Sequence, residues 1–403
     1  MFKHTPAYPG DPILSLNEEF HRDPRTQKVN LSIGIYFDDF GHLPVLKAVQ
    51  EAELHLNGDG GEGPRPYLPM AGIPAYREAV QQLVFGSESA ALKENRIATI
   101  QTLGGSGALK VGSDLLRRLF PSSEVWISDP SWENHRVVFE GSGFKVNTYP
   151  YYDEATGGLR FDDMLNTLRS LAHRSIVLLH ACCHNPTGVD LSNEQWEQLI
   201  PVLRDRQLIP FVDMAYQGLG QGLLEDAFSV RTLTDGGLPC LVANSFSKNF
   251  SLYGERCGGL SIVCESSEEA QRVLGQLTGT VRANYSNPPT HGARTITHVL
   301  TTPELNKRWE EELNGMRRRI EGMRLAIHSR LSGQVESSRL ERYIRQRGMF
   351  TYTGLDADQV ERLRAEHGIY LLRSGRLCVA GLNRQNVDYV GQAISVVLAR
   401  PSI

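Results

Sequence analysis

The chain has 403 residues, more than one compact core usually serves, so two domains are expected. Hydrophobic residues make up 40% and charged residues 22%, and 42 basic against 46 acidic side chains leave a net charge of -4, which points to no nucleic-acid or anionic-membrane partner. No apolar stretch approaches the ~20 residues of a transmembrane helix, Met1 to Pro12 lacks the apolar run of a secretory signal, and the six cysteines form no C-x-x-C pair and read as reduced thiols, so a cytoplasmic protein is expected.

In chain order, Val29–Tyr36 is the first strand-like run, and no partner lies near it in sequence. Candidate strands then follow at Ile97–Gln101, Val125–Ser128, Ile176–His180, Ile209–Val212, Cys240–Asn244 and Gly259–Val263. Several are continuous apolar runs, as expected of a mostly parallel sheet with helices on both faces. Between them lie helices, one at Leu109–Phe120 and one opened by the capping-box pattern Ser192-Asn-Glu-Gln195, with Trp196, Leu199, Ile200 and Leu203 at helical spacing. Thr302-Pro303 starts a long helix whose apolar stripe is Trp309, Leu313, Met316, Ile320, Met323, Ile327 and Leu331, enough to span ~40 Å. Beyond it, Arg342–Gly354 and Arg376–Ala380 read as strands, and Asp356–His367 and Asn386–Leu398 as helices. The expected division is an N-terminal arm and part of a small domain over 1–45, a large domain over 46–315, and a small α+β domain over 316–403.

Four segments place polar residues just past the C-terminal end of a predicted strand, the edge where open α/β sheets bind ligands. The first is Thr102-Leu-Gly-Gly-Ser-Gly-Ala108. Its glycines and the following helix start suit a single phosphate, although such a turn serves equally as a plain connection. It matches neither the G-x-x-x-x-G-K-[ST] loop nor G-x-G-x-x-G. The second, Cys183-His184-Asn185-Pro186-Thr187-Gly188, is a turn signal that could also offer the Asn185 amide to a ligand oxygen. Cys182-Cys183-His184 could make a metal corner, but no second ligand cluster accompanies it, so no metal is expected. The third, Phe211-Val-Asp213-Met-Ala-Tyr216, ends an apolar strand in an acid, which is costly to bury unpaired. The fourth is Ser245-Phe-Ser-Lys248-Asn-Phe-Ser-Leu-Tyr-Gly-Glu-Arg256. Most lysines are solvated, but this one follows an apolar run, and a desolvated amine is what imine chemistry needs.

On these residues, in this order and spacing, the chain resembles the fold-type I pyridoxal-phosphate enzymes, and within them the class I aminotransferases close to bacterial aromatic-amino-acid and aspartate aminotransferases. The resemblance runs from Asp11-Pro-Ile-Leu to Ser374-Gly-Arg376. It implies an α/β fold, with a mostly parallel seven-stranded sheet flanked by helices in the large domain and a smaller α+β domain. It implies pyridoxal 5'-phosphate as cofactor, held by Lys248 as a Schiff base. By the same resemblance Asp213 would pair with the pyridinium nitrogen, with His135 behind it. Tyr216 and Asn185 would donate to the phenolic oxygen. Gly105, Ser106, Gly107, Ser245, Ser247 and Arg256 would hold the phosphate, and Trp132 would stack on the ring.

For the substrate, the resemblance implies Arg376 on the α-carboxylate and Arg282 on a distal carboxylate, with Gly34, Trp132 and Asn185 lining the pocket. Tyr67 and Arg282 would come from the neighbouring subunit of a homodimer. Ile35, Phe37, Leu43 and Ser106 make the pocket more apolar than in aspartate-specific relatives, whereas Pro66 and Asn287 depart from the aromatic pattern. The expected reaction is transamination of phenylalanine, tyrosine and aspartate with 2-oxoglutarate. An aspartate aminotransferase with minor aromatic activity is the first alternative, and a lyase or decarboxylase on the same fold the second.

Overall fold

The computed structural model describes residues 1–8, 10–57 and 66–399. It divides into two units. One comprises Pro44–Asp153 and Gly158–Arg319, the other Met1–Leu43, Glu154–Gly157 and the chain from Ile320 onward.

The larger unit is built on seven strands, here named β1 (Ile97–Leu103), β2 (Val125–Asp129), β3 (Val146–Pro150), β4 (Ile176–His180), β5 (Ile209–Met214), β6 (Cys240–Ser245) and β7 (Cys257–Val263). Their spatial order is β1-β7-β6-β5-β4-β2-β3. Only β7 runs against its neighbours; the β6–β5, β5–β4, β4–β2 and β2–β3 pairs are parallel. All residues of β4 and β6 are buried, which explains their unbroken apolar reading in the sequence. β3 escapes that reading because it is an edge strand carrying Asn147 and Thr148.

The helix after β1 begins at Gly104, not at Leu109 as the apolar pattern suggests, and runs to Leu119. The glycine turn is therefore its first turn. Gly112 lets this helix lie close on the sheet, since a Cβ there would stand 2.5 Å from Cζ of Phe211. The capping box at Ser192 forms, with Gln195 N–H donating to Ser192 Oγ and Ser192 N–H to Gln195 Oε1. The long helix spans Pro303–Leu331, and every residue of its predicted stripe is buried. Trp309 on it donates Nε1–H to the Asn249 carbonyl at 2.8 Å and stacks on Phe250 at 4.6 Å, which braces the turn carrying Lys248.

In the smaller unit, the strand expected over Val29–Tyr36 is only Val29–Asn30, paired in parallel with Ile369–Tyr370. Asn30 Oδ1 takes both the N–H and the hydroxyl of Ser32, and this turn bends the chain out of the strand. The run Arg342–Gly354 likewise keeps only Phe350–Tyr352 as strand, antiparallel to Arg376–Cys378, while Arg342–Arg345 is a helical turn. The buried Arg324 guanidinium donates to the Tyr343, Gly348 and Phe350 carbonyls, so these acceptors need no further strand. The helices Ala357–His367, capped by Asp356, and Val387–Ala399 follow as expected. Among the described residues no helix is long and apolar enough to cross a membrane.

Candidate active site

Sheet register gathers the predicted segments at one edge. Asp213 lies opposite His180 and Ala243, and Gly258 lies opposite both Thr102 and Ser245. The ends of β1, β4, β5 and β6 and the start of β7 thus share a rim.

At one part of that rim the backbone forms an anion cradle. Gly104 has a left-handed φ of 67°, and a Cβ on it would stand 2.7 Å from Nη2 of Arg256. Only glycine leaves room for that guanidinium against the first turn of a 16-residue helix. Arg256 is aimed by donating Nη1–H to the Tyr253 carbonyl at 2.8 Å. Ser245 and Ser247 are buried, their hydroxyls 3.2 Å apart, and the Ser247 N–H donates to Ser245 Oγ. Gly105, Ser106 and Gly107 are only partly buried. Two hydroxyls, a guanidinium and a helix N-terminus fit one phosphate dianion.

Beside it stands the amine. Lys248 is partly buried, its Nζ 5.0 Å from the ring centroid of the buried Tyr216. Asn249 and Phe250 fix the following residues: Asn249 donates its side-chain N–H to the Gln217 carbonyl, and Phe250 packs edge-on against Phe246. Asp213 is 6% exposed and accepts from Nε2 of His135 at 2.9 Å. Burial pushes its carboxyl up, but the His135 hydrogen bond and the nearby His135 and Lys248 outweigh burial and hold it below the usual carboxylate range. It is therefore an ionised carboxylate in a buried place, which demands a cationic partner.

His135 is fully buried, with Nδ1 2.9 Å from the Ser131 hydroxyl. Because the ionised Asp213 can only accept, Nε2 of His135 carries the hydrogen of that bond. Trp132 stands edge-on to His135 at 5.2 Å and is partly exposed. His180 packs 5.2 Å from His135 and 4.2 Å from His184. Burial first, then the charge of His135, lower the His180 pKa to about 3, and burial with His180 and His135 holds His184 well below the usual imidazole range. Both rings are neutral. The sequence reading gave His180 no role, and its signal was a histidine ending the apolar run of β4. His135, His180 and Asp213 could jointly face a metal ion, as could Cys182, Cys183 and Asp226. In the second group the ligand beside the cysteines is Asp226 rather than His184, and its carboxylate already accepts from the Gly218, Gly220 and Gln221 N–H groups. All six cysteines are buried and free.

The smaller unit holds the other candidates. Arg376 is 1% exposed, donates to the Ser32 carbonyl at 2.7 Å and lies 4.4 Å from the Phe350 ring centroid. Gly34 passes so near Phe350 that a Cβ would stand 2.9 Å from its Cζ. Ile35 and Phe37 line a cleft of about 640 Å³ together with Phe20 and Tyr389. Leu43 is 44% exposed. Two residues of the larger unit stand at its surface: Tyr67, 92% exposed, and Arg282, which donates to Ser286 Oγ at 2.5 Å.

The described family "Aminotransferase class I and II" matches residues 26–394. The aromatic-amino-acid aminotransferase of Escherichia coli is 56% identical over 99% of this chain and 100% of its own. The aspartate aminotransferase of Pseudomonas aeruginosa is 51% identical with the same coverage. Among solved structures, the aromatic-amino-acid aminotransferase from Burkholderia pseudomallei, covalently bound to pyridoxal phosphate, superposes with a TM-score of 0.96 at 50% identity, covering 99% of both chains.

Proposed function

This chain belongs to the class I and II aminotransferases, and we propose that it transaminates aromatic amino acids and aspartate with 2-oxoglutarate, using pyridoxal 5'-phosphate. The observation that carries the reading is the partly buried Lys248 amine beside Tyr216, together with the ionised Asp213, next to a cradle shaped for one phosphate. When bound, the cofactor supplies an aldehyde that takes up an amino group and a pyridinium ring that stores the electron pair released at the substrate α-carbon.

Gly105, Ser106, Gly107, Ser245, Ser247 and Arg256 anchor the phosphate. Asp213, ionised and oriented by His135, holds a proton on the ring nitrogen. Tyr216 and Asn185 donate to the phenolic oxygen, and Trp132 covers a ring face. The Lys248 amine would hold the cofactor through its aldehyde and, when free, would take the proton from the substrate α-carbon. Such a shuttle contributes in the range of ~10²–10⁴-fold as a general base. Arg376 binds the α-carboxylate with its planar fork, near Gly34.

Arg282 serves the distal carboxylate of aspartate and 2-oxoglutarate. Its exposure gives the side chain freedom to turn away when the ligand is an aromatic ring. Ile35, Phe37 and Leu43 supply the apolar wall. Tyr67 and Arg282 reach the partner's site in a cytoplasmic homodimer, which accounts for an exposed tyrosine with no burial in its own chain. The two substrates bind in turn to one pocket, so the kinetics are ping-pong. Steady-state kcat/KM for aspartate, phenylalanine, tyrosine and tryptophan with 2-oxoglutarate tests the reading. Phenylalanine and tyrosine turning over within ~10-fold of aspartate is the expected result; aspartate alone, with aromatics more than ~10³-fold slower, would leave an aspartate-specific enzyme instead.

A further inference from the structure

Asn185 sits in a loop that the chain holds by an unusual route. Cys183, two residues before it, is a non-glycine residue with φ 52°, a left-handed conformation that disfavours side chains carrying a Cβ. The two successive N–H groups of Cys183 and His184 both point at one carboxylate. Asp190 Oδ2 accepts from Cys183 N at 2.8 Å, and Oδ1 accepts from His184 N at 2.8 Å. These are the two successive peptide groups that lead into Asn185, so their orientation fixes the backbone from which it departs. Further contacts close the loop around the same point. Gly188 N donates to the His184 carbonyl at 2.6 Å, and Thr187 Oγ1 lies 2.8 Å from Nδ1 of His184. Tyr151 stacks on the His184 ring at 4.1 Å and donates its hydroxyl to the Val189 carbonyl.

We propose that Asp190 is a positioning residue for the reaction: its two-point grip on the Cys183 and His184 N–H groups aims the Asn185 amide at the cofactor. The proposal rests on the reading that Asn185 donates to the phenolic oxygen. A bidentate acceptor is required because two successive N–H groups meet one side chain, each at its own oxygen. An ionised carboxylate has an oxygen for each, whereas an amide has one oxygen and turns N–H groups toward the other donor. With the grip gone, Cys183 relaxes toward the ordinary backbone region and carries Asn185 with it. Donation to the phenolic oxygen lowers the proton affinity of the Lys248-linked nitrogen, so a misaimed Asn185 raises it.

The test is the pH midpoint of the absorbance change of the Lys248-linked cofactor, read on holoenzyme without substrate. Asn185→Ala is expected to raise the midpoint by ~1–2 pH units, the loss of one hydrogen bond to a charged group. Asp190→Asn is expected to raise it by about 1 unit. The double variant should match Asn185→Ala within ~0.3 unit, because the grip acts only through that amide. Combining Asp190→Asn with Cys183→Gly should return the midpoint most of the way to the unmodified value, since glycine takes a positive φ without strain. Asp190→Glu keeps the charge on a longer arm and should move the midpoint in the same direction, which covers the case in which Asp190→Asn does not fold. An unmoved midpoint in both Asp190 variants, even with a lowered melting temperature, overturns the proposal and leaves Asp190 a loop brace. Additive shifts in the double variant overturn it too. If Asn185→Ala leaves the midpoint unmoved, the reading of Asn185 itself has failed and the proposal falls with it.

Discussion

Replacing Asp213 by asparagine keeps the shape of the side chain and removes its charge. The carboxylate is 6% exposed, ionised despite burial, and contacted by His135 at 2.9 Å. A charge-assisted contact holds two unit charges ~2.8 Å apart, worth about 6 kcal/mol at an effective dielectric of ~20. Asparagine recovers part of this through its carbonyl dipole, and the His135 side remains. A residual cost of ~3–6 kcal/mol at the ring nitrogen corresponds to a loss of ~10²–10⁴ in kcat. The phosphate cradle is built from other residues, so cofactor retention through gel filtration should change little. The assay is single-turnover conversion of aspartate by holoenzyme, followed by cofactor absorbance. A single-turnover rate within ~5-fold of the unmodified enzyme would refute the assigned role, because no ordinary compensation hides a lost buried ion contact of this size.

Lys248→Ala should fold and retain cofactor non-covalently while transamination falls by more than the ~10⁴-fold upper range of a single proton shuttle, because the covalent anchor is lost with it; steady-state turnover above ~0.01% of normal would contradict this. Arg282→Ala should lower kcat/KM for aspartate by the equivalent of ~2–5 kcal/mol while phenylalanine in a half-reaction changes far less, and equal losses on both would show Arg282 to be structural. His180, with a folded pKa of about 3 against an ordinary 6.5, is a depressed group, so its contribution to stability is complete above about pH 6.5 and is lost as pH falls toward 3. Between pH 7 and 5 it should account for about 2 kcal/mol of the loss in urea-unfolding free energy, and His180→Gln should flatten that slope; an unchanged slope would show that the ring is not held neutral.

The sheet was legible because several of its strands are apolar runs, and the polar residues that follow four of the candidate strands announced the rim. Two kinds of feature were hidden. Edge strand β3 sets the adjacent Asn147 and Thr148 between buried Val146 and Tyr149, so it lacks the run that marked the others. The strand at Val29–Asn30 was cut by a local turn, Asn30 accepting from Ser32, and the one at Phe350–Tyr352 lies beside Arg324, which donates to three carbonyls. The first leaves only a short polar signal inside an apolar run, and the second, reaching across the sequence, leaves no local pattern. In the site, Lys248, Asp213 and Tyr216 stood out as polar residues ending apolar runs. His180 did so equally but carried no motif of its own, and the grip of Asp190 on Cys183 and His184 depends on a left-handed φ that no residue type there announces.

The central claim is that Lys248 is the amine that carries the cofactor. Borohydride reduction of the holoenzyme, followed by proteolysis and peptide mapping, reads this directly. The account predicts one pyridoxyl label, on the peptide containing Ser245-Phe-Ser-Lys248. A label on any other lysine, or none after reduction of a fully loaded enzyme, would contradict it.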